Sequence, residues 1–145
     1  MMDDTFHLQR FITAQESVYT RVVKELKNGR KDSHWMWYIF PQIDGLGFSA
    51  TTKRYSIKSV AEAKAYLAHP ILGQRLCECV ELILAVEGKS VLQIMGAPDD
   101  LKLCSSMTLF SQMSDNPIFS QILEKYFAGK LDTRTLEILQ NLKEE

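Results

Sequence analysis

Apolar residues between positions 6 and 27 recur at spacings of three, four and seven, the repeat that places side chains on one face of an α-helix. They are Leu8, Phe11, Ile12, Val18, Tyr19, Val22 and Leu26. Asn28-Gly29 follows, and glycine is common just beyond a helix because it readily adopts the left-handed conformation found there. The pattern predicts one long amphipathic helix over residues 6–28.

Three further stretches show the same periodicity, and they predict helices over residues 70–87, 100–113 and 117–128. Pro70 and Pro117 stand at the start of the first and the last, where proline suits the first helical turn. The first stretch carries a continuous apolar stripe and is the predicted central helix. The stripe consists of Leu72, Leu76, Cys79, Val80, Ile83 and Val86.

Capping signals predict shorter helices between these. Ser59 and Glu62 have the spacing of a capping box, in which each side chain accepts a hydrogen bond from the other residue's main-chain amide, and the helix that they open continues to Ala68. Ser90 is the predicted cap of a helix over residues 91–95, and Asp132 is the predicted cap of a last helix. One or two helical turns are also expected near residues 34–40 and a short turn near residues 51–57.

These elements amount to six or seven helices, and no segment has the alternation of a convincing strand. The connections between helices are short, which suits helices packed against their neighbours in sequence. The predicted fold class is therefore all-α, as a compact single domain of six or seven helices over residues 1–145.

Residues 31–42, which we call the aromatic segment, contain both tryptophans and two further aromatic side chains. Such an apolar run is normally buried, yet this one also carries Lys31, His34 and Gln42. Polar groups need hydrogen-bond partners when they are covered, so the mixture indicates a ligand site. A purely structural hydrogen-bonding role for His34 is an equal alternative.

Trp35 and Trp37 point to different sides of a helix or of an extended strand. At most one of them is therefore expected to line a cleft beside His34, while the other anchors the segment in the core. Packing of both rings in the core is the alternative that remains open.

A second group of polar residues lies in residues 99–106, which we call the polar segment. Lys102, Ser105 and Ser106 are spaced by three and four and would share a helix face, and Asp99 precedes them. If this face lay opposite the aromatic segment, the two would enclose a pocket. In the alternative interpretation the aspartates cap a helix and the serine hydroxyls bond to the preceding turn.

Composition and charge narrow the class of protein. Hydrophobic residues make up 46% and charged residues 24%, as in ordinary folded domains. The formal charge of -1 supplies no bulk attraction to nucleic acid or to an anionic membrane. The acidic N-terminus and the absence of a long apolar run predict neither a signal peptide nor a membrane span, so we expect a cytoplasmic protein with reduced cysteines.

Motifs of known chemistry are absent: the chain has no phosphate-binding loop, dinucleotide fingerprint or serine elbow. Its three histidines, His7, His34 and His69, are far apart, and its three cysteines show no metal-binding spacing. We therefore expect neither a metal site nor a cofactor.

Several runs together resemble a family of small bacterial proteins of unknown function, some of which are labelled calpastatin in genomes. The resemblance covers almost the whole chain and implies the family's all-α fold, but it implies no activity. The label is at odds with this sequence, because that inhibitor is a disordered repeat protein whereas this chain has the capped helices of a folded domain. The resemblance rests on Lys31 with the run Ser33 to Gln42, Gly45-Leu46-Gly47, Ser49, Tyr55, the run Tyr66 to Pro70, Leu72-Gly73, Arg75-Leu76, the run Asp99 to Leu103 and the run Ser105 to Phe110.

The favoured functional hypothesis is a site for a small polar or anionic ligand, in a cleft between the aromatic segment and the polar segment. Aromatic faces there would stack on a planar group of the ligand. The predicted lining residues are Lys31, His34, Trp37, Gln42, Asp99, Lys102, Ser105 and Ser106.

Two other classes of function stay open. One is an enzyme acting on a nucleotide or an ADP-ribose-like substrate, with His34 as general acid or base and Asp99 or Asp100 orienting it. The other is a protein-interaction module in which Trp35 or Trp37 is an exposed anchor. The sequence identifies neither the ligand nor the oligomeric state.

Overall fold

The computed structural model describes residues 4–144 and the side chains of residues 4–143. Met1, Met2 and Asp3, which belong to the acidic N-terminus that argued against a signal peptide, lie outside the described residues. Across the described range the fold is all-α, as predicted, but it has ten helices rather than six or seven. They are α1 (Gln9–Glu16), α2 (Tyr19–Lys27), α3 (Met36–Ile39), α4 (Ala50–Tyr55), α5 (Val60–Ala68), α6 (Leu72–Leu84), α7 (Val91–Met95), α8 (Asp99–Ser111), α9 (Ile118–Phe127) and α10 (Thr133–Glu144).

The predicted helix over residues 6–28 is interrupted, and this is one reason for the higher count. α1 ends at Glu16 and α2 begins at Tyr19. Just before the break Gln15 turns into the interior, where its amide donates to the carbonyl of Tyr38 at 2.7 Å and its side-chain oxygen accepts from Arg75 at 3.1 Å. α1 packs against α3, whereas α2 packs against α6. The break therefore lets two halves of one amphipathic pattern contact different partners.

The predicted turns near residues 34–40 and 51–57 are helices in their own right, α3 and α4, and this accounts for the rest of the difference in count. No strand occurs between residues 4 and 144. A single parallel bridge joins Ile43 to Ile57 and ties the loop after the aromatic segment to the end of α4.

Serine caps begin three of the helices, because the hydroxyl before α4, α5 and α7 accepts a hydrogen bond from the amide three residues later. Among these three, the reciprocal bond of a capping box is present at α7. At α5 Glu62 instead accepts from the amide of Lys58 and pairs with Arg10, so the box predicted for Ser59 and Glu62 is only half formed.

α6 is the central helix, as its apolar stripe predicts, and it packs against α2, α5 and α9. Near the start of α6 there is no space for a side chain at Gly73. A Cβ atom there would lie 2.0 Å from the main-chain oxygen of Leu67. α5 and α6 therefore touch backbone to backbone. The stripe residues Leu72, Leu76, Cys79, Val80 and Ile83 are all buried.

A run of contacting aromatic rings joins the helices through the core. Phe11 meets Tyr66 edge-on with ring centroids 5.1 Å apart, Tyr66 lies 5.6 Å from Phe110, and Phe110 lies 5.9 Å from Phe119. These rings connect α1, α5, α8 and α9. Over the part of the chain that the structure describes, no helix is both long and apolar enough to cross a bilayer.

Candidate functional site

Glu25 on α2 holds the start of the aromatic segment in place. Its Oε1 accepts hydrogen bonds from the main-chain amides of Asp32 at 2.7 Å and Ser33 at 3.0 Å, and from the indole Nε1 of Trp35 at 2.9 Å. Its Oε2 accepts from the Ser33 hydroxyl at 2.5 Å. Four donors therefore converge on one carboxylate that is almost entirely buried.

This arrangement lowers the pKa of Glu25. Burial by itself raises the pKa, but the hydrogen bonds from the Ser33 hydroxyl, the Trp35 indole and the two main-chain amides lower it from 4.5 to about 2. The carboxylate is thus ionised at neutral pH. Our sequence analysis missed Glu25, although an acidic residue beside Val22 and Leu26 on the apolar face of α2 is the signal that points to it.

The aromatic segment is also tied to α7. The main-chain amide of Lys31 donates to the carbonyl of Ile94 at 2.7 Å, one residue before α7 ends. This hydrogen bond holds the first residue of the aromatic segment at the last turn of α7, shortly before the chain turns into α8.

The two tryptophans have different surroundings. Trp35 is fully buried, and its ring lies 6.1 Å from that of Phe40. Trp37 is half-buried, and its Nε1 is covered without a hydrogen-bond partner among the described residues. Trp35 is thus the core anchor and Trp37 borders a cavity, which answers the question that the sequence left open.

A cavity of about 240 Å³ lies between the aromatic segment and the start of α8. We call it the tryptophan cavity. Four of its lining residues come from the aromatic segment and four from residues 97–102. They are Lys31, His34, Met36 and Trp37, and Ala97, Pro98, Asp99 and Lys102.

Charged groups from the two walls meet at this cavity. The Nζ of Lys31 lies 2.7 Å from a carboxylate oxygen of Asp99, and it also donates to the carbonyl of Ser33 at 2.6 Å. Lys102 lies 3.9 Å from the same carboxylate and 5.1 Å from the centre of the Trp37 ring. One carboxylate therefore stands between two ammonium groups, of which Lys31 is the more deeply buried.

His34 lines the tryptophan cavity with its side chain exposed. It has no hydrogen-bond partner within residues 4–143. Asp99 is occupied by the two lysines, and one oxygen of Asp100 is buried without a partner among the described groups. The contact between His34 and a carboxylate that the enzyme hypothesis requires is thus not present in this structure.

Gln42 lies outside the tryptophan cavity. It is half-buried and lines a separate cavity of about 10 Å³, which it shares with Trp37, Tyr55 and Ser56. Trp37 borders both spaces, so Gln42 is close to the tryptophan cavity without lining it.

Ser105 and Ser106 are also placed elsewhere. The Ser105 hydroxyl donates to Asp132 at 2.8 Å and lies 3.3 Å from the carbonyl of Leu101, and Ser106 is fully buried. The predicted polar wall fails because a long side chain on a helix reaches back toward the N-terminus. Lys102 therefore covers the start of α8, whereas Ser105 lies one turn further on, beside Asp132 at the approach to α10.

The aspartates at the start of α8 do not cap it. The N-cap position is Pro98 and carries no side-chain hydrogen bond, while Asp99 and Asp100 occupy the first turn. A carboxylate there is favoured by the partial positive charge of the helix N-terminus. Asp99 instead pairs with Lys31 across the cavity and with Lys102 on its own helix.

The cysteines form no disulfide and belong to no metal cluster. Within the described residues no group of three or more His, Cys, Asp or Glu side chains could hold a metal ion. Cys77, Cys79 and Cys104 are free thiols, and burial raises the pKa of Cys79 to about 12.

Comparison with known proteins gives this fold a family. A family model described as "Protein of unknown function (DUF1810)" matches residues 5–139. The chain belongs to this family. The description assigns the DUF1810 proteins no activity.

A crystal structure shows the same fold. The conserved hypothetical protein Rv1873 from Mycobacterium tuberculosis is 53% identical to this DUF1810 protein, and the match covers 94% of this chain and 99% of Rv1873 with a TM-score of 0.93. No functionally curated protein matches the sequence.

Proposed function

We propose that this DUF1810 protein binds a small polar or anionic ligand in the tryptophan cavity. The supporting observation is that two segments distant in sequence contribute charged and aromatic side chains to one concave space. The residues that would contact the ligand are Lys31, His34, Trp37, Asp99 and Lys102.

The charges favour a ligand with an anionic group. Lys31 already has a close partner in Asp99, at 2.7 Å, whereas Lys102 is 3.9 Å from that carboxylate and its side chain is 26% exposed. Lys102 is therefore the cation with most freedom to contact a ligand. A carboxylate or phosphate placed against it would lie beside the Trp37 ring, because the Lys102 ammonium lies over that ring.

The volume limits the size of the ligand. About 240 Å³ is below the range of roughly 300–1,000 Å³ found for sites of drug-sized molecules. This cavity suits a small metabolite better than a whole nucleotide or ADP-ribose, so the ligand-site hypothesis ranks above the enzyme hypothesis. The interaction-module hypothesis required an exposed tryptophan, and Trp35 is buried while Trp37 is half-buried.

A thermal-shift screen against small carboxylates, phosphates and amino acids tests the proposal. A ligand at 100 times its dissociation constant adds about 2.7 kcal/mol to the free energy of unfolding, which is measurable in a domain of this size. The Lys102→Gln and His34→Ala proteins should lose most of that shift. Lys130→Gln removes the same charge from an exposed position outside the cavity and should keep it.

Tryptophan fluorescence gives an independent readout. A ligand in the cavity should change the emission of Trp37 and leave that of buried Trp35 nearly constant. In the Trp37→Phe protein the ligand-dependent change should disappear. A stabilising ligand whose shift survives both Lys102→Gln and Trp37→Phe binds elsewhere, and that result would refute the proposed site.

A further inference from the structure

A second concave surface, distinct from the tryptophan cavity, lies beside the start of α1. We call it the basic groove. It has a volume of about 520 Å³ and shares no lining residue with the tryptophan cavity. Its lining residues are Phe6, His7, Arg10, Lys53, Arg54, Lys58 and Glu62.

The basic groove concentrates positive charge on a protein whose formal charge is -1. Arginine and lysine supply four of the seven lining residues, and Glu62 is the one carboxylate among them. That carboxylate is already neutralised, because it lies 2.7 Å from the guanidinium of Arg10. The remaining lysine and arginine side chains create a local positive field that the overall charge conceals.

Arg10 is a structural member of the groove. Its guanidinium donates to the carbonyls of Phe6 at 2.8 Å, His7 at 2.9 Å, Arg54 at 2.7 Å and Ser56 at 3.0 Å, in addition to its contact with Glu62. All of its donor capacity is directed into the protein, so it shapes the groove without being free to bind a ligand.

Two cations are free. Lys53 and Arg54 are exposed on α4 and form no ion pair within the described residues. The guanidinium of Arg54 lies over the ring of Tyr55, 5.6 Å from the ring centre. Lys58 is partly engaged, since it lies 3.4 Å from Asp44 and donates to the carbonyl of Lys53.

Another part of the groove's lining, at Phe6 and His7, has an unusual backbone. His7 has φ +56°, a left-handed conformation that is uncommon in residues other than glycine although histidine adopts it more readily than most. The hydrogen bonds from Arg10 to the carbonyls of residues 6 and 7 hold this conformation. Phe6 and His7 are thereby fixed beside the cationic wall.

We propose that the basic groove binds a small phosphorylated metabolite, with its phosphate held by Lys53 and Arg54. A phosphate monoester carries about two negative charges at neutral pH, and the planar guanidinium matches its oxygens with parallel hydrogen bonds. The half-buried ring of Phe6 offers apolar contact to the organic part of the ligand. At about 520 Å³ the groove lies within the range typical of small-molecule sites.

The charge distribution favours this ligand over nucleic acid. A nucleic-acid surface needs cations along the path of many phosphates, whereas the free cations here are confined to two neighbouring residues of one short helix. The net negative charge of the rest of the protein would repel the parts of a long polyanion that extend past the groove. A small anion lies entirely within the groove and does not reach those charges.

Isothermal titration calorimetry of the full chain with ADP, inorganic pyrophosphate and adenosine tests the proposal. We expect ADP and pyrophosphate to bind and adenosine to bind much more weakly. The double variant Lys53→Gln/Arg54→Gln should weaken ADP binding by at least about tenfold, because two charge-assisted contacts are lost. Both side chains are exposed, and circular dichroism of the double variant verifies that it is folded.

The double variant Lys24→Gln/Lys27→Gln is the matched control, since it removes the same charge from exposed positions on α2. Equal weakening in both double variants would show a general charge effect and overturn the proposal, as would the absence of ADP binding to the unmodified protein. A single-stranded oligonucleotide that bound more tightly than ADP, with steep salt dependence, would also overturn it in favour of nucleic acid. Because the tryptophan cavity is unchanged in these variants, the outcome is independent of the function proposed above.

Discussion

Replacing Glu25 by glutamine removes one negative charge beneath the aromatic segment while preserving most of its hydrogen bonds. The glutamine oxygen can still accept from Asp32, Ser33 and Trp35, as Oε1 of the carboxylate does. Its amide can donate to the Ser33 hydroxyl, which is able to accept as well as donate. Glu25→Gln therefore isolates the contribution of the charge.

The size of that contribution follows from the pKa. The folded-state pKa of Glu25 is about 2, against an ordinary value of 4.5, and this difference corresponds to about 3 kcal/mol of stability at neutral pH. Because the folded pKa is the lower of the two, the stabilisation is fully present above the unfolded value. It is lost as the pH falls through the folded value. The difference between the unmodified protein and Glu25→Gln should therefore be about 3 kcal/mol at neutral pH and should fall to less than half of that by about pH 3.

Urea unfolding followed by far-UV circular dichroism, repeated between neutral pH and about pH 3, measures this difference. At neutral pH it should also appear as a fall in Tm of about 10 °C. Glu16→Gln, on the exposed face of α1, is the control and should stay within about 0.5 kcal/mol of the unmodified protein. A Glu25→Gln difference that is equally small at neutral pH, or that does not decrease on acidification, would refute the role assigned to this carboxylate.

Two further substitutions test the packing of the helices. Gly73→Ala should lower the free energy of unfolding by about 1–3 kcal/mol or more, because its Cβ would overlap the carbonyl of Leu67, although alanine is the better helix former by about 1 kcal/mol. Gln74→Ala on the exposed face of α6 reports helix propensity alone, and equal urea midpoints for the two variants would contradict the close crossing. Asp132→Ala should cost about 1–2 kcal/mol in the same assay, because the hydroxyls of Ser105 and Thr135, 2.8 and 2.5 Å from its carboxylate, lose their acceptor. An Asp132→Ala protein as stable as the unmodified one would show that these bonds contribute nothing net.

The helices with strong stop signals were the predictable part of the fold. The prediction of residues 70–87 corresponds to α6 at Leu72–Leu84, and that of residues 117–128 corresponds to α9 at Ile118–Phe127. Proline before each helix and glycine beyond it define these limits locally. The break between α1 and α2 has no such signal, because it depends on Gln15 finding partners on other helices.

The candidate site was also predictable only where its residues are close together in the sequence. Lys31, His34 and Trp37 lie close together in sequence, and the structure places them around one cavity with Asp99 and Lys102. Ser105 and Ser106 were expected there from helical spacing alone, but spacing does not show which neighbouring helix covers each turn. The Ser105 hydroxyl donates a hydrogen bond to Asp132, just before α10, and this long-range contact is visible only in the tertiary structure.

The hydrogen bond between the Lys31 amide and the Ile94 carbonyl makes the opening of the tryptophan cavity observable. This amide joins the aromatic segment to the last turn of α7, next to the residues 97–102 that form the other wall, so its exchange with deuterated solvent reports how often this connection opens. A ligand that enters the existing space should slow exchange at Lys31, and its association rate should not depend on a prior conformational step. A ligand that binds only after this connection opens should instead associate no faster than the opening rate that the exchange reports.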